Sequence, residues 1–196
     1  MKNKTSTFLG LYITALMCIN AVADDWQCYR GPNHDGISKE TGWNSNWQGS
    51  SPKTLWKAEI GTGFCTVSVS KGKVYTMGNQ NDVDTVYCFD ENTGELKWKY
   101  SYPCKLAPDS FEGGPTATPT VDGNRVYTFS RFGHLNVLDA ENGKVIWSKN
   151  LMEELGAARP QWGFASSALI LNNMIILNIG EAGTALDKNT GKVIWT

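Results

Sequence analysis

The chain has 196 residues, of which 41% are hydrophobic and 19% are charged, and its formal net charge is −1. This composition is ordinary for a folded protein and supplies enough apolar side chains for a core. The near-zero charge and the lack of any run of Lys and Arg argue against nucleic acid or an anionic membrane surface as a main partner.

Residues 1–23 have the pattern of an export signal. Lys2 and Lys4 precede an uncharged, largely apolar stretch that ends in Ala-Val-Ala at positions 21–23, a small-x-small sequence typical of signal cleavage sites. The apolar stretch is too short for a stable membrane anchor. We therefore expect cleavage before Asp24, a periplasmic or secreted mature chain, and no membrane span in that mature chain.

Residues 24–60 form a polar segment that is rich in tryptophan. Trp26, Trp43 and Trp47 lie in it, and we expect them to cover the outer face of the folded domain, with a stacking platform for sugars as the alternative. Near its end, LWKAEI over Leu55–Ile60 matches the last strand of the later repeats. Because no partner strands precede it, this stretch is predicted to be an orphan outer strand.

Four cysteines follow the export signal, namely Cys28, Cys65, Cys88 and Cys104. In an exported protein they could form disulfides, and four cysteines allow three connectivities. The sequence has neither a Cys-x-x-Cys spacing nor an adjacent cysteine pair, and it has only two histidines, so no metal site is predicted. Buried free thiols and one disulfide both stay open, and the pairing is not determined.

A nine-residue word, D-x-x-x-G-x-[LV]-x-W, occurs three times in the rest of the chain. Its tryptophans are 49 and 48 residues apart, a period found in propeller blades. We predict that the Asp bonds backbone N–H groups of a turn, that the Gly adopts a positive φ, and that the Trp packs on the next repeat, so these residues are structural. They are Asp90, Gly94, Trp98, Asp139, Gly143, Trp147, Asp187, Gly191 and Trp195.

Each repeat contains four predicted strands, which in the first repeat are TVSVS, KVYTM, VYCFD and the strand with the tryptophan. Four-stranded units at this spacing favour an all-β fold, a β-propeller of antiparallel four-stranded blades. The predicted blades span residues 61–101, 102–150 and 151–196. Because a ring needs about four to eight blades, we expect an incomplete arc of three blades plus the orphan strand, cut from a longer chain.

Two further stretches bear on possible sites. MEELGAA over Met152–Ala158 predicts one helical turn at most. NQNDVD over Asn79–Asp84 gathers carboxylates and amides, but it lacks the glycine that a calcium loop needs at its sharp turn. We therefore predict a solvated loop there.

The loops before the first strand of each repeat are the predicted ligand-binding face. They contain GTGF, EGGP and QWGF, and loops on one face of a propeller commonly carry its binding residues. Glu112, Arg159 and Trp162 are the candidate binding residues. Simple packing of the loops is the alternative interpretation.

The Asp-x-x-x-Gly-x-x-x-Trp word resembles the repeat of the PQQ-binding-like β-propellers. That family includes quinoprotein alcohol dehydrogenases, which use pyrroloquinoline quinone (PQQ), and the β-propeller lipoprotein of the outer-membrane barrel assembly machine. DWQCYRGPNHDGIS over Asp25–Ser38 is similar to the start of a secreted bacterial subgroup. The resemblance spans essentially the whole mature chain.

The resemblance implies two functions. One is a non-catalytic module that binds a protein or carbohydrate partner in the cell envelope, and the other is a PQQ-dependent alcohol or sugar dehydrogenase. The family's enzymes use a vicinal disulfide, a calcium ion and a catalytic Asp. Since the chain has no adjacent cysteines and no position that matches the calcium ligands or that Asp, no catalytic or metal residue is assigned and the binding module is favoured. PQQ with calcium is implied only by the resemblance.

Overall fold

The computed structural model describes residues 24–49, 51–109 and 111–196. The predicted export signal lies outside these described residues. Within them, no helix has the length and apolar character required to cross a membrane.

The described chain folds into three four-stranded antiparallel sheets that follow one another in sequence. The first sheet contains β1 (Ser68–Ser70), β2 (Lys73–Gln80), β3 (Val83–Asp90) and β4 (Leu96–Pro103). The second contains β5 (Thr120–Asp122), β6 (Arg125–Phe129), β7 (His134–Asp139) and β8 (Val145–Asn150). After the short helix α1 (Leu151–Glu154), the third contains β9 (Leu169–Leu171), β10 (Met174–Leu177), β11 (Thr184–Asp187) and β12 (Val193–Trp195). The predicted all-β architecture is confirmed, as is the limit of one helical turn after β8.

The repeated word forms the turn between the third and fourth strand of each sheet. In the first sheet, Asp90 Oδ1 accepts hydrogen bonds from the backbone N–H groups of Asn92 and Thr93 at 3.1 and 3.0 Å. Gly94 closes the turn at φ 70°, where a Cβ would be strained. The second and third sheets repeat this arrangement around their own Asp and Gly.

Two apolar cores lie between the sheets. Val126 and Leu138 face the first sheet, where they pack with Met77 and Val86. Their neighbours along the same strands face the third sheet and pack with residues such as Ile175. Since side chains alternate along a strand, the second sheet supplies both cores and holds the three sheets face to face.

The repeat tryptophans lock each sheet to the turn of the next. Trp147 donates its indole N–H to the Lys188 carbonyl oxygen at 3.4 Å, and its ring lies against Gly191, where a Cβ would come within 3.1 Å. The same contact joins Trp98 to Gly143. Successive sheets are thus held both by apolar burial and by this docking of tryptophan on glycine.

The predicted orphan strand differs from the expectation. Leu55–Ile60 is not a strand, because within the described residues no neighbouring strand offers it a hydrogen-bonding edge. Its tryptophan nevertheless docks as the repeat tryptophans do. Trp56 donates to the Glu91 carbonyl oxygen at 2.8 Å and lies against Gly94, where a Cβ would come within 2.6 Å.

The start of the described chain binds the first strands of the sheets, which lie side by side. Trp26 forms an antiparallel bridge with Val69 of β1, and the N–H of Val121 of β5 donates to the Gln27 carbonyl oxygen at 2.8 Å. The expectation of an outer covering is therefore wrong for Trp26. It is also wrong for the other two tryptophans of the segment, which are 69% and 54% exposed.

The four cysteines in the described residues are free thiols. Three of them are buried and Cys65 is half-buried. Of the two alternatives that the sequence leaves open, the structure therefore has the free thiols.

Candidate functional site

A buried arginine joins two of the loops on the predicted binding face. Arg131 follows β6 and is only 2% exposed. Its Nε donates to the Trp162 carbonyl oxygen at 3.3 Å, and its Nη1 donates to the carbonyl oxygens of Leu106 and Ala107 at 3.3 and 2.9 Å. One guanidinium thus fixes the loop before the second sheet against the loop before the third.

The turn that presents this arginine is set by its own sequence, SRFGH. The Ser130 hydroxyl oxygen accepts hydrogen bonds from the backbone N–H groups of Phe132 and His134 at 3.2 and 3.0 Å. Gly133 supplies the positive φ of 82° that closes the turn. The side chain of Arg131 is thereby directed away from the strand and between the loops.

The charge of Arg131 has no carboxylate partner among the described residues. Burial lowers its pKa, and the nearby charge of Arg159 lowers it further. Carbonyl dipoles and the ring of Phe111, which lies 4.8 Å from the guanidinium carbon, stabilise the cation instead. The more distant carboxylates of Asp109 and Asp84 also favour the charged form.

Two further aromatic rings pack against the Phe111 ring that covers the arginine, and we call the three side chains the aromatic row. The Phe111 ring lies 5.2 Å from that of Phe64 and 6.1 Å from that of Trp162, centroid to centroid. Each comes from the loop before a different sheet. Phe64 and Trp162 are 52% and 48% exposed, so the row presents apolar surface to solvent.

The three predicted candidate residues lie around this site without forming one cluster. Trp162 belongs to the aromatic row, and Glu112 is an exposed neighbour of Phe111 in the chain. Arg159 is exposed, and its guanidinium lies 5.1 Å from the ring centroid of Phe132. Their binding role stays a proposal.

Sequence reasoning missed Arg131 and two members of the aromatic row. A signal for the arginine was present, because RFG lies one residue beyond the apolar strand β6, where a charged side chain must either reach solvent or find partners. The partners themselves lie 24 to 31 residues away in the chain. Nothing local in the sequence connects them.

The predicted solvated loop over Asn79–Asp84 is instead the end of a hairpin with a buried polar pair. Asn79 and Asp84 lie opposite each other in β2 and β3 and are 2% and 1% exposed. The Asn79 amide donates to Asp84 Oδ1 at 2.7 Å and to the Cys104 carbonyl oxygen at 2.8 Å. Burial raises the pKa of Asp84, although hydrogen bonds from the side chains of Asn79, Cys104 and Tyr102 oppose the shift. The prediction of a solvated loop is wrong for these two side chains.

The donor set does not fit PQQ with calcium. Calcium takes six to eight oxygen ligands, whereas the described residues contain no group of three or more His, Cys, Asp or Glu side chains that could hold a metal ion. No reaction step is therefore derived through this cofactor.

Comparisons with known proteins agree with the repeat structure. The dehydrogenase subunit of the quinone alcohol dehydrogenase of Komagataeibacter europaeus is 31% identical over 141 residues, which cover 66% of this chain and 19% of that protein. Polyvinylalcohol dehydrogenase of Sphingopyxis sp. is 30% identical over 106 residues, which cover 52% of this chain and 14% of that protein. The chain thus spans less than a fifth of the length of these relatives.

A solved structure identifies the fold, and a family model identifies the family. The quinohemoprotein alcohol dehydrogenase of Comamonas testosteroni superposes with a TM-score of 0.53 at 21% identity, over 69% of this chain and 21% of that one. At that identity the likeness establishes the fold, and it identifies the three sheets as blades of a β-propeller. The family described as outer membrane protein assembly factor BamB matches residues 37–196. The chain therefore belongs to this family of PQQ-binding-like β-propeller repeat proteins.

Proposed function

We propose that this chain is a non-catalytic binding module of the cell envelope and that its loop face docks a protein partner. The aromatic row carries the proposal, because Phe64, Phe111 and Trp162 come from three blades and converge at one surface. Exposed aromatic side chains beside arginine are the groups that dominate the binding energy of protein interfaces. Such a surface can anchor a partner without any reactive group.

The exposed part of the row is large enough to matter energetically. A fully buried aromatic side chain removes about 150–250 Å² from water, and each Å² contributes about 25 cal/mol. Since Phe64 and Trp162 are already about half buried, a partner that covers the rest gains about 2–3 kcal/mol from each. Side chains of this kind serve as anchors at the centre of protein interfaces.

Charge and ring geometry favour a protein over a carbohydrate. Arg159 is exposed, and no carboxylate among the described residues pairs with it, so it would attract an acidic segment of a partner. The Phe64 and Phe111 rings meet at 81°, which offers no continuous flat platform for stacked sugar rings. The family description, an assembly factor, is in line with a protein partner.

The test compares two pairs of exposed aromatic residues. A Phe64→Ser/Trp162→Ser variant removes the exposed part of the row, and Trp43→Ser/Trp47→Ser removes two tryptophans elsewhere that are at least as exposed. Size-exclusion chromatography of envelope extracts should show a larger complex for the native chain and for the control, and its loss in the loop-face variant. Retention of the complex in both variants, or saturable binding of an envelope polysaccharide instead, would contradict a protein-docking role.

A quinone-dependent dehydrogenase is the second candidate. The observation in its favour is the 31% identity to a quinone alcohol dehydrogenase over 66% of this chain. Calorimetric titration with PQQ and calcium should give no saturable signal with this chain. A saturable signal that disappears on chelation would favour the dehydrogenase.

A further inference from the structure

A cysteine and a histidine face each other where the N-terminal segment meets the blades. Cys28 Sγ lies 3.8 Å from His34 Nδ1, and the thiol proton is donated to the Gly31 carbonyl oxygen at 3.0 Å. Both side chains line a cavity of about 580 Å³ whose opposite wall comes from the first-strand regions of the second and third blades, including Thr116 and Ser167. Phe64 lines the same cavity, so the cavity adjoins the aromatic row. A ligand in the cavity does not require the protein partner proposed for that row.

The chain holds the two side chains in place through two consecutive turns. The Gly31 N–H donates to the Cys28 carbonyl oxygen at 2.9 Å, and the His34 N–H donates to the Gly31 carbonyl oxygen at 3.1 Å. The bridge between Trp26 and β1 anchors the start of these turns. Cys28 is 8% exposed whereas His34 is open to solvent, so the cavity gives access to a buried thiol and an accessible imidazole.

We propose that Cys28 and His34 form a two-ligand site for Cu(I). Thiolate sulfur and imidazole nitrogen are the protein ligands that suit this soft cation. Bond lengths to a d¹⁰ ion are about 2.3 Å from sulfur and about 2.0 Å from nitrogen. Sγ and Nδ1, which lie 3.8 Å apart, can therefore both bind one copper ion with an S–Cu–N angle of about 120°. If the two atoms move apart by about 0.5 Å, the S–Cu–N arrangement becomes linear.

The surroundings favour a singly charged, two-coordinate ion over zinc. Zinc sites in proteins use three or four protein ligands, and no third His, Cys, Asp or Glu joins this pair among the described residues. Arg30 also lines the cavity, and its positive charge opposes a dication more than a monocation. When a Cu(I) ion replaces the thiol proton, the net charge of the site does not change, and the proton passes to solvent.

The experiment is an anaerobic Cu(I) titration of the full chain against a chromogenic Cu(I) chelator. We expect one ion per chain, with the affinity reduced more than tenfold in both Cys28→Ser and His34→Gln. Cys65→Ser is the control, because it removes a half-buried thiol that does not line the cavity, and its affinity should equal that of the native chain. X-ray absorption of the copper complex should show one sulfur and one nitrogen ligand.

Three results would overturn the proposal. Equal binding by native chain and Cys28→Ser would assign the copper to other thiols, and equal binding by His34→Gln would leave the thiol without its imidazole partner. Zinc binding of equal strength would contradict the two-coordinate site. Thermal unfolding of each variant, measured without metal, separates loss of the site from loss of the fold, since a site-specific change leaves the transition temperature within a few degrees.

Discussion

The indole ring of Trp98 lies directly on Gly143, where a Cβ would come within 2.6 Å of the ring. Gly143 also has a φ of 70°, and the Trp98 indole donates to the Ala140 carbonyl oxygen at 3.0 Å. Backbone conformation and space therefore both require glycine, and the contact joins the first blade to the second. The two effects can be separated, because Gly123, another glycine of the second blade, has a positive φ but open space where a Cβ would project.

Gly143→Ala is expected to destabilise the chain by about 2–5 kcal/mol, from backbone strain of about 1–2 kcal/mol and displacement of the indole. Gly123→Ala is the control, since Gly123 has a φ of 63° but no heavy atom lies within 4 Å of the place where a Cβ would project. It should lose only about 1–2 kcal/mol. Chemical denaturation measures both free energies of unfolding, and equal losses would contradict a specific role for the docked indole.

Trp56→Ala is expected to lower the free energy of unfolding by about 2–4 kcal/mol, because it removes a docked indole and its hydrogen bond to Glu91. Trp43→Ala should stay within about 0.5 kcal/mol, since that side chain is 69% exposed. A loss for Trp56→Ala no larger than that of the control would show that Leu55–Ile60 is not held on the first blade in solution.

Asp84→Asn is expected to change how stability depends on pH. Burial raises the folded-state pKa of Asp84 above its unfolded value, so the stabilising effect of the bound proton is fully present below the unfolded pKa of about 3.9 and is lost as pH rises through the folded pKa. The native chain should therefore lose stability relative to Asp84→Asn as pH rises from the unfolded pKa through the higher folded pKa.

Asp90→Asn supplies the opposite control for this titration. Hydrogen bonds from Thr93 lower the pKa of Asp90 in its turn, so its stabilising effect is present above the unfolded pKa and is lost as pH falls. The native chain should gain stability relative to this variant as pH rises. Parallel trends for the two variants, from urea denaturation across the pH range, would be inconsistent with a buried Asp84.

Arg131→Lys is expected to cost about 2–4 kcal/mol, because an ammonium group cannot reach the three carbonyl oxygens that the guanidinium bonds. Arg159→Lys keeps a charge at an exposed position and should change stability by less than about 0.5 kcal/mol. Limited proteolysis should also cleave the loop around Leu106 faster in Arg131→Lys only. Unchanged stability and cleavage would mean that the arginine does not hold the loops.

The blades could be predicted from sequence because every step of that prediction is local. Asp90 and Gly94 encode a turn by themselves, and in every repeat a tryptophan follows these two residues at the same distance, as Trp98 does in the first. The burial of Asn79 and Asp84 could not be predicted in this way. It depends on the register of β2 with β3 and on Tyr102, which reaches the same carboxylate from β4.

The candidate site was predictable only in part. Its location in the loops before each blade follows from the repeat, and Trp162 was identified on that basis. Arg131 was missed because its partners are backbone carbonyl oxygens, which every residue has and which therefore leave no mark in the sequence. In Leu55–Ile60 a local match misleads instead. Its tryptophan matches the repeat, but its backbone does not form the strand that this match predicts.

Site-directed photocrosslinking in cells tests the proposed docking role most directly. A photoreactive benzoylphenylalanine replaces Trp162 in one chain and Trp43, which is more exposed than Trp162, in another. We expect a discrete protein adduct from position 162 that weakens when Phe64→Ser is added, and no such adduct from position 43. An adduct of the same size from both positions, or none from position 162, would contradict the assignment of the aromatic row as the protein-docking surface.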